Sequence, residues 1–228
     1  MAYYEISQAF SADILRIAEM SSRFTSTDPL TNAMLRDSSG IAWNPVESRK
    51  LMALHNYNKG IRDYGLSPSS FVLKSCSHFA LEASAWIQHF DPDSYWHVRW
   101  KDEPNTFDIP PHCVDEILYN KIEDALHTNR KTNMQGKEHY YIRQLDYRVV
   151  ELQSPGKEGA KSLLGHISRL NPHVDKYAHS NIARDDLFQE SGWEYVGHVA
   201  VNPEFASFGK LLTFPQSTSS WVLRGVRG

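Results

Sequence analysis

The run from Tyr147 to Leu164, Tyr-Arg-Val-Val-Glu-Leu-Gln-Ser-Pro-Gly-Lys-Glu-Gly-Ala-Lys-Ser-Leu-Leu, constrains the fold of this chain more than any other segment. It passes from a β-branched stretch through a glycine-bearing loop into residues whose apolar side chains recur at helical spacing. A helix start leaves backbone N–H groups without partners and carries the positive end of the helix dipole. A loop that feeds such a start suits an anion, for instance the diphosphate of a nucleotide-like cofactor. Further on, Asn181 to Gly197 reads as a helix closed by Gly192 and followed by a strand.

The rest of the chain alternates in the same way. Tyr3–Ser7 predicts a short strand, and Ser11–Met20 a helix behind a serine cap. Val46–Tyr64 predicts a second helix, ended by Gly65 and Pro68. Ser70–Cys76 and Phe79–Phe90 carry the β-formers of two strands, with the turn expected at Ser77-His78. Between Asp91 and Lys137 the chain is polar and proline-bearing. One helix is expected there, from Cys113 to Thr128, with Ile117, Leu118, Ile122 and Leu126 as its apolar stripe. His139–Leu145 and His173–Ser180 predict two more strands, and Trp193–Asn202 and Trp221–Val226 the last two.

Composition narrows the function classes. With 228 residues, 41% of them hydrophobic, the chain suffices for one well-packed domain and is short for two, so 1–228 is expected to be a single domain with an insertion at about 91–137. A net charge of -3 gives no general attraction to nucleic acid or to an anionic membrane. No run approaches the roughly 18 to 20 apolar residues of a membrane-spanning helix. The opening Met-Ala-Tyr-Tyr-Glu lacks the basic and then apolar regions of a signal peptide, so a cytoplasmic location is expected. Cys76 and Cys113 are too few for a disulfide framework or a thiolate zinc site, and no metal is expected.

Together these segments resemble the GNAT acyltransferases, especially the small-molecule members common in fungi. The family's acyl-CoA loop is matched by Gln153-Ser-Pro-Gly156-Lys-Glu-Gly159-Ala160 when about two residues are looped out. Its next helix is matched without a gap by Asn181, Phe188, Gly192 and Trp193. Arg23–Leu30 is similar to the turn after the first helix, and His139–Leu145 to the strand that leads into the cofactor loop. The resemblance implies an α/β (α+β) fold: a mixed, mostly antiparallel central sheet with splayed fourth and fifth strands, flanked by helices.

It also implies a site. Acetyl-CoA or another acyl-CoA would lie along Val150, Leu152 and Gln153, with Gly156, Lys157, Gly159, Ala160 and Lys161 at its diphosphate and Asn181 and Phe188 beyond. Trp86, Tyr141, Tyr147 and Trp100 would line the substrate pocket, while Glu151, His139 and His179 are the candidate bases. His179 stands where the family often has a glutamate, and its imidazole is expected to titrate near neutrality. Two features depart from the family pattern. Phe188 replaces a tyrosine that protonates the departing thiolate, and a phenyl ring has no proton to give. Glu158 and Pro155 put a negative charge and a missing donor where the diphosphate would arrive.

The leading expectation is therefore a small-molecule N- or O-acyltransferase working by direct transfer in a ternary complex. Its substrate would be a small molecule, bulky and aromatic or apolar, and the protein a monomer or homodimer. The alternative is a GNAT-shaped enzyme that no longer uses CoA and performs a cyclisation or isomerisation on a natural-product intermediate. A silent binding module is the third. Separately, Cys76-Ser-His-Phe-Ala80 resembles the nucleophile segment of transglutaminase-like enzymes, with His198 as a partner. That requires a cysteine at a helix start, whereas Phe71–Phe90 reads better as a hairpin.

Overall fold

Seven strands build one sheet in the order β1-β2-β3-β4-β5-β7-β6. The strands are β1 Glu5–Gln8, β2 Ser70–Ser77, β3 Ala80–Phe90, β4 His139–Tyr147, β5 Asp175–Asn181, β6 Glu194–Val201 and β7 Gln216–Leu223. The helices are α1 Ile14–Phe24, α2 Pro45–Leu66, α3 Glu116–Met134, α4 Pro155–Arg169 and α5 Asp185–Glu190. This computed structural model describes residues 3–28, 31, 35, 45–66, 70–92, 116–149, 155–181, 185–201 and 216–226. Every pairing in the sheet is antiparallel except β4 with β5, which is parallel. The parallel pair needs a crossover, which α4 supplies.

Each face of the sheet is covered. On one face α4 lays Ala160, Leu163, Leu164 and Ile167 over Leu73, Ala83, Ala85, Ile87, Ile142 and Leu145. Burying a side chain of the leucine or isoleucine kind contributes roughly 1.5–3 kcal/mol, so this one helix anchors the centre of the sheet. The same core runs on through Leu187, Phe188, Trp193 and Trp221. On the other face α1 and α2 bring Ile14, Ile17, Met20 and Tyr57 onto Val72 and Trp86. Beside them, Met134 of α3 packs with Tyr141, Tyr177 and Val222. β3 is buried from Leu81 to Ile87 because it is covered on both faces, which explains why its sequence does not alternate.

The expected elements are present in the expected order, with local differences, the largest in β7, which spans Gln216–Leu223 where the sequence predicts Trp221–Val226. α1 runs to Phe24, whose ring packs on Tyr147, and α3 to Met134, which is drawn into the core, so both extend beyond the sequence stripes. The hairpin turn falls at His78-Phe79, one residue later than expected, with both residues at positive φ, 46° and 68°. That is the primed turn geometry that matches strand twist, here adopted without glycine. Cys76 lies on β2 rather than at a helix start, and β2 and β6, the strand of His198, belong to opposite ends of the sheet. The transglutaminase-like reading is thereby removed.

The feature that positions a site is the parallel ladder. It spans only His139–Ile142 against Asp175–Ala178. Both strands continue past it, β4 to Tyr147 and β5 to Asn181, without pairing to each other. The sheet therefore opens into a V whose apex is at Ile142 and Ala178.

Candidate active site

β4 forms one wall of the V. Its neighbour on the other side is β3, and Arg148 N–H donates to Glu82 O at 2.7 Å. Strand alternation then turns the N–H and C=O groups of Tyr147 and Leu145 away from β3, toward the opening. A bulge shapes the wall near the apex: Trp86 pairs with Gln144 and Ile87 with Ile142, which leaves Arg143 as the extra residue. The Arg143 guanidinium lies 5.0 Å from the centre of the Trp86 ring and donates to Glu123 of α3 at 3.1 Å. The sequence carries no mark of this bulge.

Beneath the apex, on the face covered by α3, a hydrogen-bonded chain runs through His179. Its Nδ1 is 3.2 Å from the Tyr141 hydroxyl and its Nε2 is 3.2 Å from the Tyr177 hydroxyl. Tyr177 O–H donates to Asn129 Oδ1, which also accepts from the Ser220 hydroxyl at 2.7 Å. The direction of that donation assigns the tautomer. With the Tyr177 proton committed to Asn129, Tyr177 oxygen accepts from Nε2–H, and the Nδ1 lone pair accepts from Tyr141 O–H. Arg130 lies over the Tyr141 ring at 4.3 Å and over the Phe90 ring at 4.5 Å. Burial lowers its pKa to about 10, so it remains a cation at neutral pH.

This setting overturns the expectation that His179 titrates near neutrality. Burial, reinforced by the Arg130 charge, pushes its pKa down to about 3. The residue as a whole is partly exposed, and the depth of protein around its ring keeps it neutral. His139 is likewise held neutral, at about 4, chiefly by burial. It is wholly buried at the start of β4, its Nδ1 is 2.9 Å from Lys137 O, and it pairs with Asp175 at the closed end of the parallel ladder. Its place away from the opening, with its ring sealed in the core, removes it as a base for an acceptor in the V.

A second polar group lies on the same face under α1 and α2. The wholly buried Asp146 accepts from Tyr57 O–H at 3.0 Å and from Gln144 Nε2–H at 2.7 Å. Ser84 meets Tyr57 at 2.9 Å, and Gln144 also reaches Ser21 at 3.2 Å and Asn56 at 3.3 Å. These contacts tie β4 to both helices just beside the V.

At the far end of the wall, α4 begins against β4. A Cβ on Gly156 would meet Arg148 O at 2.0 Å, so the helix start is pressed onto the strand end, and only glycine permits that approach. Gly159 is no loop residue. It lies in α4 facing the sheet, where a Cβ would stand 2.7 Å from Glu82 Cβ. Ala160 is fully buried in the core beside it. Both positions answer to packing, which corrects their assignment to a phosphate-binding loop. Lys157 is ion-paired with Asp186 and Glu190, and Lys161 with Glu158 and Glu190, at 2.9 and 2.6 Å for the latter two. The lysines of the helix start are thus met by three carboxylates.

The remaining predicted positions divide clearly. Tyr141 and His179 come together. Tyr147 packs against Phe24, with ring centres 4.5 Å apart. Trp86 is 1% exposed, its Nε1–H donated to Ser70 at 3.0 Å, so it belongs to the core and not to a pocket wall. Phe188 is corrected in the same way: it is 1% exposed, stacked on Trp221 at 5.9 Å and edge-on to Trp193 at 5.2 Å. Asn181 ends β5 opposite Thr218. Val150, Glu151, Leu152, Gln153 and Trp100 lie outside the described residues.

A seven-stranded mixed sheet split between a parallel β4–β5 pair, with a helix crossing over between them, has counterparts among solved structures. The C-terminal condensation domain of Ebony, in complex with beta-alanyl-dopamine, matches with a TM-score of 0.62 at 10% identity, covering 98% of this chain and 99% of that one. A mosquito arylalkylamine N-acetyltransferase like 5b matches at 0.60 and 10% identity, over 97% and 99%. The histone acetyltransferase HPA2 and related acetyltransferase from Corynebacterium glutamicum matches at 0.59 and 11% identity, over 100% and 99%. The chain has the GNAT fold. No family model and no curated protein matches the sequence, so the relationship is one of structure. In the GNAT frame, the V between β4 and β5 is the candidate active site, and the described residues that shape it are Tyr141, Arg143, Leu145, Tyr147 and His179. Among the described residues no helix is long and apolar enough to cross a membrane.

Proposed function

We propose that the protein transfers an acyl group from acetyl-CoA or another acyl-CoA to the amine or hydroxyl of a small molecule, with both reactants held together in the V. The observation that supports this best is the halted β4–β5 ladder. Beyond Ile142 and Ala178 the two strands run on without pairing to each other, and an amide-bearing pantetheine arm laid between them can join β4 by sheet-like pairing. The bound thioester would supply the activated carbonyl. The names of two structures of the same fold, an arylalkylamine and an agmatine N-acetyltransferase, favour an amine acceptor.

The chain's own residues orient more than they titrate. His179, neutral and held at both nitrogens, fixes the Tyr141 hydroxyl beneath the apex. With their pKa values pressed down to about 3 and about 4, His179 and His139 are weak bases at neutral pH, and the base we assign is Glu151, directly or through water. The fixed Arg130 cation beneath Tyr141 favours negative charge developing above that ring.

A second reading draws on the charges at α4. Lys157 and Lys161 are engaged with Glu158, Asp186 and Glu190, which suits a diphosphate poorly. The Ebony domain, whose name is condensation and not acetyl transfer, has the same fold. On this reading the V serves a CoA-independent cyclisation or isomerisation. Isothermal titration at moderate salt separates the two. Stoichiometric, micromolar binding of acetyl-CoA, tighter than that of S-acetyl-pantetheine lacking the nucleotide, is the expected result. Absence of heat from either ligand up to millimolar concentration would refute acyl-CoA transfer and leave the second reading.

A further inference from the structure

We propose that His89, Asp91 and Glu138 form a binding site for a divalent transition metal of the zinc type, outside the V and independent of the proposed acyl transfer. Among the described residues, these three bring their donor atoms within 4.8 Å of one another. His89 lies near the end of β3, Asp91 just after that strand, and Glu138 immediately before β4. β3 and β4 are paired in this region, His89 with Tyr140 and Phe90 with His139, so the ladder itself sets the separation of the donors.

The arrangement is preorganised. His89 Nε2 already stands 2.9 Å from Glu138 Oε1. The imidazole is held by the Tyr140 ring, with centres 4.7 Å apart and planes inclined by 36°. Asp91 is exposed, so its carboxylate can turn in to complete the set. Two donors on one tetrahedral zinc ion stand roughly 3.3 Å apart, as follows from metal–ligand distances of about 2.0–2.2 Å. The His89–Glu138 pair is near that spacing before any ion arrives.

Donor chemistry selects the ion. One imidazole nitrogen with two carboxylate oxygens is too nitrogen-rich for a calcium or magnesium cage and lacks the thiolate that favours copper(I). Three protein donors leave a fourth position for water. An ion bridging Asp91 and Glu138 would also fasten the two ends of the whole excursion between β3 and β4, which includes α3 and with it Asn129, Arg130 and Glu123. The site would thus be a clasp on the ends of the excursion that carries α3, which covers the sheet beneath the apex of the V.

The test is calorimetric titration of Zn²⁺ into full-length protein stripped with a chelator and desalted, with Co²⁺ absorption as a second readout. About one equivalent should bind, and Co²⁺ should give a visible ligand-field band. His89→Ala, Asp91→Asn and Glu138→Gln should each weaken binding by about tenfold or more. Asp91→Asn changes an exposed side chain, so it reports on the site even if another variant folds poorly. His173→Ala removes an exposed imidazole elsewhere and should change nothing. The proposal is overturned if Zn²⁺ gives no binding heat, if Asp91→Asn and His89→Ala bind as the parent does, or if His173→Ala weakens binding equally.

Discussion

Replacing Gly159 and Gly165 by alanine, one at a time, should move stability in opposite directions although both lie in α4. Intrinsic propensity favours alanine over glycine within a helix by about 1 kcal/mol. At Gly165 an added Cβ meets nothing nearer than an Arg169 nitrogen at 3.8 Å, so the full propensity gain should appear. At Gly159 the new methyl would stand 2.7 Å from Glu82 Cβ, 3.4 Å from Ser75 Oγ and 3.5 Å from a Tyr4 ring carbon. Carbon atoms in good contact sit about 3.5–4.0 Å apart. The obstruction is a Cβ on a buried strand, which cannot swing aside, so α4 must lift from β3. Overpacking of this kind costs about 1–3 kcal/mol, which leaves Gly159→Ala destabilised by up to about 2 kcal/mol after the propensity gain. The two variants should therefore differ by about 2 kcal/mol in urea unfolding, or roughly 4–8 °C in melting temperature for a chain of this size. Equal stabilisation by both substitutions would show that α4 does not rest on β3 as described. The same geometry makes Gly159→Asp unusable as a probe of phosphate binding, because it would disturb packing before it touched a ligand.

Acidification should expose the buried histidines. Their folded pKa values, about 3 for His179 and about 4 for His139, lie below the unfolded value near 6.5, so the unfolded chain takes up protons first and stability declines as pH falls below that value. Each contributes a loss of about 2 kcal/mol by pH 5. His179→Gln should remove about half of that slope in urea unfolding, and an unchanged slope would contradict its burial as a neutral ring. Long-range ¹⁵N–¹H NMR should find His179 protonated at Nε2 from pH 5 to 8, whereas Nδ1 protonation would reverse the assigned chain. Asp185 accepts from Ser180 and Ser219 at 2.7 Å each and from Trp221 Nε1–H at 3.3 Å. Asp185→Ala should cost about 2–3 kcal/mol in chemical denaturation, and a loss below about 0.5 kcal/mol would mean that water replaces it freely.

Order and type of the elements were legible because they rest on local signals. Gly192, at φ +79°, closes α5 where the sequence placed a cap, and the backbone of Trp193 donates back to Phe188 O at 3.0 Å. The segment from Tyr147 to Leu164 does lead from a strand into a helix. What stayed hidden depends on partners distant in the chain. Glycine at 159 reads as a loop residue until β3 is seen beneath it. Phe188 reads as a substituted acid until Trp221 is found stacked on it, some thirty residues downstream in the same core. The titration of His179 is set by its burial and by the Arg130 charge, a setting no spacing reveals. Arg143 becomes a bulge only through the register of β3 against β4. The His89, Asp91 and Glu138 set was invisible for the same reason, since it forms across a strand pair and follows no sequence motif.

The V divides the sheet in space, and the chain respects that division in order. Every strand from β1 to β4 lies on one side and every strand from β5 to β7 on the other, so in the order of the strands the step from one half to the other comes between β4 and β5, where α4 lies. α4 itself packs on β1 to β4. A cut between Arg169 and Asp175 would leave each fragment with all of its own antiparallel ladders intact. Between the fragments would form the four-residue parallel ladder at the apex, the side-chain core on the α4 face and, on the other face, the packing of α3 and Tyr141 on β5 and β7 with the hydrogen bonds of Asn129 and His179. The architecture is that of a two-part clamp, separable at its pivot, and a ligand lodged in the V would act as the pin that joins the parts.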